Sequence, residues 1–152
     1  MASPSLDTPY RGGFVGREHH FALTVYFEDT DAAGVVYYAN YLKFMERARS
    51  DMIRAVGVDQ NAMLRGDGSA YYVAHVDIHY RRPARLGDDL RIISTVQRVR
   101  ASSVHIHQRV MRGPELLADA SVTAAFLDRE GRPRRQPQEW VEEFGQIVAQ
   151  EQ

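Results

Sequence analysis

The chain has 152 residues, of which 44% are hydrophobic and 26% charged, and its formal net charge at pH 7 is −1. These values fit a single soluble globular domain, and the near-neutral charge excludes a general electrostatic attraction to nucleic acid or to a membrane surface. The absence of cysteine excludes disulfide bonds, thiolate nucleophiles and zinc–thiolate sites.

The first 16 residues are mostly polar and lack the apolar core of a secretory signal peptide. We expect them to form a flexible N-terminal segment in front of a single domain over residues 17–148. No apolar run approaches the roughly 20 residues that a membrane-spanning helix needs. These features favour a cytoplasmic protein without a membrane span.

The first predicted elements are a strand over residues 20–27 and one long helix over residues 41–56. The strand segment alternates and is rich in β-branched and aromatic residues. In the helix segment, apolar residues recur at three- and four-residue spacings. Asn40 is expected to cap the start of this helix and Gly57 to end it. A short second helix is predicted over residues 59–65.

Strands are predicted to dominate the second half of the chain. Residues 90–99 and 104–111 form a predicted hairpin, and residues 140–148 a C-terminal helix. The strand that starts at residue 71 is assigned one apolar face, made of Tyr72, Ala74, Val76, Ile78 and Tyr80. The last strand is assigned a longer apolar face, made of Leu116, Ala118, Ala120, Val122, Ala124 and Phe126.

This order of elements predicts an α+β fold in which an antiparallel sheet of about five strands covers one long helix. A sheet with one apolar face must bury that face, and the helix over residues 41–56 is the only long amphipathic element in the sequence. Small residues on the last strand, Ala118, Ala120 and Ala124, would let the helix approach the sheet closely.

The segment YFEDTDAAGVVYYANYLKFMERAR, residues 26–49, closely resembles the signature of hot-dog-fold thioesterases of the 4-hydroxybenzoyl-CoA thioesterase type, and among them the acyl-CoA thioesterases associated with the Tol-Pal system. The segment VDIHYRRPARLGDDL, residues 76–90, resembles the second-strand and turn region of that family. The resemblance implies a sheet wrapped around the helix, and two chains paired into a continuous sheet, often doubled to a homotetramer. It also implies hydrolysis of an acyl-CoA thioester without a metal or cofactor, CoA being part of the substrate.

The resemblance places the catalytic carboxylate at Asp31 and the donor to the oxyanion at the backbone N–H of Tyr38. An aspartate can attack the thioester carbonyl or take a proton from water, and both routes stay open. Unpaired N–H groups and the helix dipole at the start of the following helix suit polarisation of a carbonyl. Gly34 lets the chain turn between acid and helix. Tol-Pal-associated members typically carry His at the position of Tyr38 and Tyr at that of Phe27, so a histidine-assisted mechanism is not carried over.

Three arginines, Arg81, Arg82 and Arg85, cluster at a turn, and the forked guanidinium group suits the phosphates of CoA. Further basic residues that we expect to include CoA contacts are Arg98, Arg100, Arg132, Arg134 and Arg135. Tyr37 and Tyr41 are expected at the substrate site, either in an aromatic pocket that also includes Tyr38 and Phe44 or as core and interface residues.

For several other polar residues, structural roles are favoured over catalytic or metal-binding roles. Asp29 is expected to form a turn, and Glu46 a surface pair with Lys43 or Arg49, although some hot-dog thioesterases use a glutamate on the helix. Histidines and an aspartate on the outer strand faces favour a solvated face or a subunit contact over a metal site; they are His75, Asp77, His79, His105 and His107. Two other functions remain open for this fold: a non-catalytic acyl-CoA-binding module, and a hydroxyacyl-thioester dehydratase, which usually needs a His–acid pair.

Overall fold

The computed structural model of the chain describes residues 6–150. In chain order the elements of this part are β1 (Gly13–Val15), β2 (Glu18–Thr24), a short 3-10 helix (Phe27–Asp29), α1 (Asn40–Ala55), α2 (Gln60–Gly66), β3 (Ala70–Tyr80), β4 (Asp89–Val99), β5 (Ser103–Arg112), β6 (Glu115–Leu127) and α3 (Gln138–Gly145). Within the described residues, no helix has the length and apolar character that crossing a membrane would require.

The strands form one antiparallel sheet in the order β1–β2–β4–β5–β6–β3, and α1 packs on one face of it. This confirms the predicted α+β hot-dog architecture, with one strand more than the expected five. The predicted hairpin is the pair β4 and β5. β3 lies at one edge of the sheet and β1 at the other, so each has one side without a neighbouring strand.

The core lies between α1 and the sheet, as the helical periodicity predicts. Phe44, Met45 and Ala48 of α1 are buried together with Ala118 and Ala120 of β6. The alanines share this core, but the backbone of α1 approaches β2, β4 and β5 most closely, so the close approach predicted at β6 lies at the neighbouring strands. α1 therefore has a fixed position over the middle of the sheet, and its first turn points to the end of the sheet where β2 and β3 finish.

β1 is a correction to the sequence analysis. Residues 13–15, which were expected in a flexible segment that ended at residue 16, pair with β2 from Val15 to Gly13. Three residues are too short to show alternation, so no pattern in the sequence marks this strand. The predicted flexible segment therefore does not extend to residue 16, and residues 1–5 of that prediction lie outside the described part of the chain.

A bulge changes which side chains of β3 face the core. The register against β6 shifts between Val73 and His75. Before the bulge Tyr71 lies on the core side opposite Phe126, and after it Val76 lies on that side. The single alternation predicted for this strand is therefore wrong before the bulge, because the extra residue moves every side chain on one side of it to the other face.

β6 confirms its predicted apolar face from Ala118 onward. Leu116, expected on that face, is only partly buried, whereas Leu117 is fully buried. The cause is a register shift between Val110 and Met111 of β5, which places an additional residue of β6 at this point.

The ends of two helices also differ from the predictions. Asn40 is the first residue of α1 and not its N-cap, because the cap position is taken by Ala39, whose side chain cannot bond to the helix. The C-terminal helix spans Gln138–Gly145 in place of residues 140–148, and Val148 forms a parallel bridge with Val96 of β4. The short helix predicted over residues 59–65 is α2, Gln60–Gly66, and Asp59 is its N-cap, since the Asp59 carboxylate accepts a hydrogen bond from the Ala62 N–H at 3.0 Å.

Candidate active site

The loop between β2 and α1 carries the DTD motif and turns tightly at Asp31. The Asp31 carbonyl accepts from the Gly34 N–H at 3.0 Å, and the Asp31 N–H donates to the Val35 carbonyl at 2.9 Å. Gly34 has φ +76°, a left-handed conformation that glycine adopts without strain. Asp31 is exposed, and its Oδ1 accepts from the Ala33 N–H at 2.9 Å, which leaves Oδ2 without a protein donor among the described residues.

Asp29 joins this loop to the start of α1. Its Oδ2 accepts from the Tyr26 N–H at 2.8 Å, which closes the short 3-10 helix as a turn. Its carbonyl accepts from the Tyr37 N–H at 3.0 Å and from the Asn40 side-chain amide at 2.9 Å. Asp29 thus forms the turn expected of it, and Asn40 holds the loop rather than capping the helix.

The first turn of α1 presents backbone donors. It contains no acidic residue, and the N–H groups of Tyr38 and Ala39 have no acceptor within residues 6–150. The Asn40 N–H donates to the Tyr37 carbonyl at 2.8 Å. Free N–H groups and the positive end of the helix dipole make this point a favourable place for a developing negative charge.

Aromatic rings surround a cavity of about 260 Å³ beside these donors. The lining residues are Val36, Tyr38, Tyr41, Tyr80, Arg81, Arg82 and Pro83. The Tyr38 side chain is 62% exposed, whereas Tyr41 is buried and its hydroxyl accepts from the Ala84 N–H at 2.9 Å. Burial raises the pKa of Tyr41, so this hydroxyl stays protonated near neutral pH. Tyr41 is therefore a core residue and a wall of the cavity at once.

Tyr37 and Phe44 lie apart from this lining. The Tyr37 ring contacts that of Tyr38 at a centroid distance of 4.9 Å, and Phe44 is buried behind Tyr41 at 6.2 Å. Three lining residues, Val36, Tyr80 and Pro83, were not among the predicted site residues, and Tyr80 is the aromatic one. It was placed on the apolar face of its strand, and no local signal showed that this position reaches the loop before α1.

Two of the three predicted arginines have carboxylate partners. Arg81 Nε lies 2.7 Å from Asp119 and Arg82 Nη1 lies 3.2 Å from Glu115, and both line the cavity. The exposed Arg85 forms a bridge with Val35 in the acid loop, and its guanidinium makes no hydrogen bond within the described residues. Arg85 is the member of this cluster whose guanidinium has no carboxylate partner within the described residues, whereas Arg81 and Arg82 each pair through one nitrogen.

The remaining basic residues lie at the other end of the sheet. Arg98 and Arg100 are at the β4–β5 hairpin, and Arg134 pairs with Asp67 near the start of β3. Because β3 runs away from that end toward Asp31, these arginines do not join the acid loop within one chain.

Other candidates are not part of the site. Glu46 accepts from the Ser50 hydroxyl at 2.7 Å and forms no ion pair with Lys43 or Arg49, which corrects the expected surface pair. The outer-face histidines point away from α1, and within residues 6–150 no three His, Cys, Asp or Glu side chains are arranged to hold a metal ion.

Comparison with known proteins gives the site its context. Residues 25–147 match the model of the thioesterase-like superfamily. The chain belongs to this superfamily. The matched segment contains the acid loop, α1 and all the strands from β3 to β6, and it confirms the resemblance found in residues 26–49.

Individual relatives agree with this membership. The chain is 39% identical over 126 residues to the acyl-CoA thioester hydrolase YbgC of Escherichia coli O6:H1. The aligned region covers 82% of this chain and 93% of the relative. The chain is 39% identical over 108 residues to the acyl-CoA thioesterase YbgC of Haemophilus influenzae, covering 71% and 79%. The crystal structure of a probable thioesterase from Bartonella henselae superposes with a TM-score of 0.75 at 35% identity, covering 79% of this chain and 99% of that chain.

Proposed function

We propose that the chain is an acyl-CoA thioesterase that hydrolyses a thioester to a free acid and CoA. The observation that carries this proposal is the position of Asp31 on a tight turn in the loop that leads to the free N–H groups at the start of α1. Membership of the thioesterase-like superfamily and the relatives named as acyl-CoA hydrolases support it.

Asp31 is the proposed catalytic carboxylate. Its Oδ1 is held by the Ala33 N–H, so Oδ2 is the oxygen that reacts. As a nucleophile, Oδ2 would attack the thioester carbonyl carbon, the C–S bond would break, the CoA thiolate would take a proton, and water would open the resulting anhydride. As a general base, it would take a proton from the water that attacks the same carbon.

The proposed oxyanion donors are the backbone N–H of Tyr38 and the neighbouring turn of α1. Charge develops on the thioester oxygen in both routes, so donors already oriented toward it lower the barrier in both. The backbone of Tyr38 is assigned this role and not its ring, because the Tyr38 N–H has no acceptor within residues 6–150.

Replacement of Asp31 by asparagine tests the proposal. The amide keeps the size of the side chain and can still accept from the Ala33 N–H, but it can neither attack nor take a proton. We expect release of CoA thiol, followed with a thiol reagent, to fall by at least about 100-fold, while the melting temperature stays the same. Asp77→Asn, an exposed aspartate on β3, is the matched control.

Retention of full activity by Asp31→Asn would refute the catalytic assignment. Binding of acyl-CoA without thiol release by the unmodified chain would indicate a binding module, and release of water from a hydroxyacyl-CoA would indicate a dehydratase. A panel of benzoyl, short-chain and long-chain CoA esters identifies the acyl group, and unchanged rates in EDTA are expected because the proposed mechanism needs no metal.

Single turnover in ¹⁸O-labelled water separates the two roles of Asp31. Water that opens an anhydride at the aspartyl carbonyl leaves label in Asp31, whereas general-base catalysis places all the label in the released acid. Mass spectrometry of the peptide that contains Asp31 measures this. Label in that peptide supports the nucleophilic route.

We also propose that the active form is a homodimer or a homotetramer assembled through β3. This edge strand has no neighbour on one side, and Tyr72, Val73 and Val76 are exposed along it. An exposed apolar edge strand is a favourable site for pairing with a second copy. Val73→Lys should lower the mass measured by light scattering, and an unchanged mass would contradict pairing at this edge.

A further inference from the structure

Tyr80, the last residue of β3, reaches the start of α1 through its hydroxyl group. Its Oη donates a hydrogen bond to the Tyr38 carbonyl at 3.0 Å, across 42 residues of sequence. Its ring meets the rings of Tyr38 and Tyr41 edge to face, at centroid distances of 6.1 and 5.4 Å. The contact joins the edge strand of the sheet to the segment that carries the proposed oxyanion donors.

The bonded carbonyl belongs to the same peptide unit as the Ala39 N–H. A peptide unit is planar, so a hydrogen bond that holds the carbonyl also sets the direction of that N–H. It also polarises the N–H, because a chain of hydrogen bonds strengthens its members. The preceding unit is held in the same way, since the Tyr37 carbonyl accepts from the Asn40 N–H at 2.8 Å and shares its plane with the Tyr38 N–H.

The two peptide units differ in what holds them. The carbonyl of the Tyr37–Tyr38 unit accepts from a backbone N–H, that of Asn40. The carbonyl of the Tyr38–Ala39 unit accepts, within residues 6–150, from the Tyr80 side chain. Both N–H groups, of Tyr38 and of Ala39, are without a protein acceptor in the described part of the chain. The orientation of the second donor therefore depends on one side chain from a distant strand.

Tyr80 itself is firmly placed. It lies opposite Ala118 of β6, and the next two N–H groups, of Arg81 and Arg82, both donate to the Leu117 carbonyl at 2.8 and 3.1 Å. Burial, followed by the nearby Tyr38 and Tyr41 hydroxyls, raises the pKa of Tyr80 above its ordinary value. The hydroxyl therefore stays protonated, and so remains a donor, through the neutral pH range.

We propose that Tyr80 is a positioning residue for thioester hydrolysis: its hydroxyl fixes the Tyr38–Ala39 peptide so that the Ala39 N–H acts as a second donor to the oxyanion, beside the Tyr38 N–H. The inference rests on the proposed thioesterase function and deepens it. Tyr80 touches no reacting atom. It acts through the backbone, and its effect belongs to the transition state, where the charge on the thioester oxygen is greatest.

Tyr80→Phe tests this inference, because it removes the hydroxyl and keeps the ring contacts with Tyr38 and Tyr41. We expect kcat to fall about 10-fold, less than the 100-fold or more that follows loss of an oxyanion donor itself. KM should stay within about 2-fold and the melting temperature should be unchanged, since the substrate carbonyl binds weakly before the charge develops. Tyr71→Phe is the control, because it removes a hydroxyl on the core side of the same strand that bonds to Gln136, away from the loop before α1.

Each other outcome overturns the inference. An unchanged kcat shows that the hydroxyl does not act on the donors. A raised KM with unchanged kcat assigns Tyr80 to substrate binding, and a lower kcat accompanied by a lower melting temperature assigns it to stability alone. The unmodified chain and Asp31→Asn are assayed alongside. An inactive unmodified chain or an active Asp31→Asn refutes the proposed function, whereas an Asp31-dependent enzyme with normal Tyr80→Phe kinetics refutes only the inference about Tyr80.

Discussion

Replacement of Asp51 by alanine tests what holds the second half of α1 against the sheet. Asp51 Oδ2 accepts from His19 Nε2 at 2.7 Å and from the Gly12 N–H at 2.9 Å, and Oδ1 accepts from Arg54. His19 is fully buried on β2 and Asp51 is only 6% exposed. One carboxylate thus joins the helix, the sheet and the segment that leads into β1.

The expected loss of stability follows from the buried donors that lose their acceptor when Asp51 is replaced by alanine. The two hydrogen bonds that His19 and Gly12 donate to the charged Asp51 carboxylate are worth about 1.5–3 kcal/mol each, or about 3–6 kcal/mol together. Arg54 is 47% exposed on its side chain and returns to water, which offsets part of the loss. We expect Asp51→Ala to lower the free energy of unfolding by about 4 kcal/mol and the melting temperature by about 8–16 °C.

Urea unfolding and calorimetry at one fixed protein concentration measure this change, because an oligomer makes the apparent stability depend on concentration. Arg54→Ala is the matched control. It removes the exposed partner of the same carboxylate, and we expect it to lower the free energy of unfolding by at most about 1 kcal/mol. A loss below about 1 kcal/mol in Asp51→Ala, or equal losses in the two variants, would refute the assignment of stability to the buried contacts with His19 and Gly12.

Three further predictions concern His19, Gln108 and Gly34. Burial, opposed by Asp51, lowers the pKa of His19, so the unfolded chain takes up a proton at higher pH than the folded chain does. The free energy of unfolding should therefore decrease as the pH is lowered below about 6.5, and it should decrease less in His19→Gln. Urea titrations at successive pH values measure this. The buried Gln108 accepts a hydrogen bond from the half-buried Arg49 at 2.9 Å. Gln108→Leu should lower the free energy of unfolding in urea by about 2–4 kcal/mol, and adding Arg49→Met should recover at least half of this loss. Gly34→Ala should lower the melting temperature, because alanine in the left-handed conformation of Gly34 costs about 1 kcal/mol. Gly34→Asn should lower it less, and equal decreases in the two variants would contradict a conformational cause.

Helix α1 and strand β6 were predictable because local chemistry decides both. The recurrence of Phe44, Met45 and Ala48 at helical spacing marks one buried face, and the alternation from Ala118 onward marks another. β1 was not predictable, since its three residues carry no period. The error at Tyr71 has the same kind of cause, because a bulge is a property of two paired strands and leaves no trace in one of them.

In the candidate site, too, local features were predictable from the sequence and contacts between distant residues were not. Asp31 and the backbone of Tyr38 were proposed from the family resemblance of residues 26–49, and the turn at Gly34 between them is local in sequence. The contact of Tyr80 with Tyr38 was not within reach of sequence reasoning, since it depends on where β3 ends against β6.

The sequence by itself determined the longer elements, the apolar face of α1, the apolar face of β6 from Ala118 onward, and where an acid precedes a helix start. Only the tertiary structure decided that Tyr80 holds the peptide after Tyr38, and that Asp51 accepts from His19. The physical reason is that periodicity specifies the direction of a side chain relative to its own element. Contacts between distant residues depend on strand order, register and bulges, which are settled only when all the strands pack around α1.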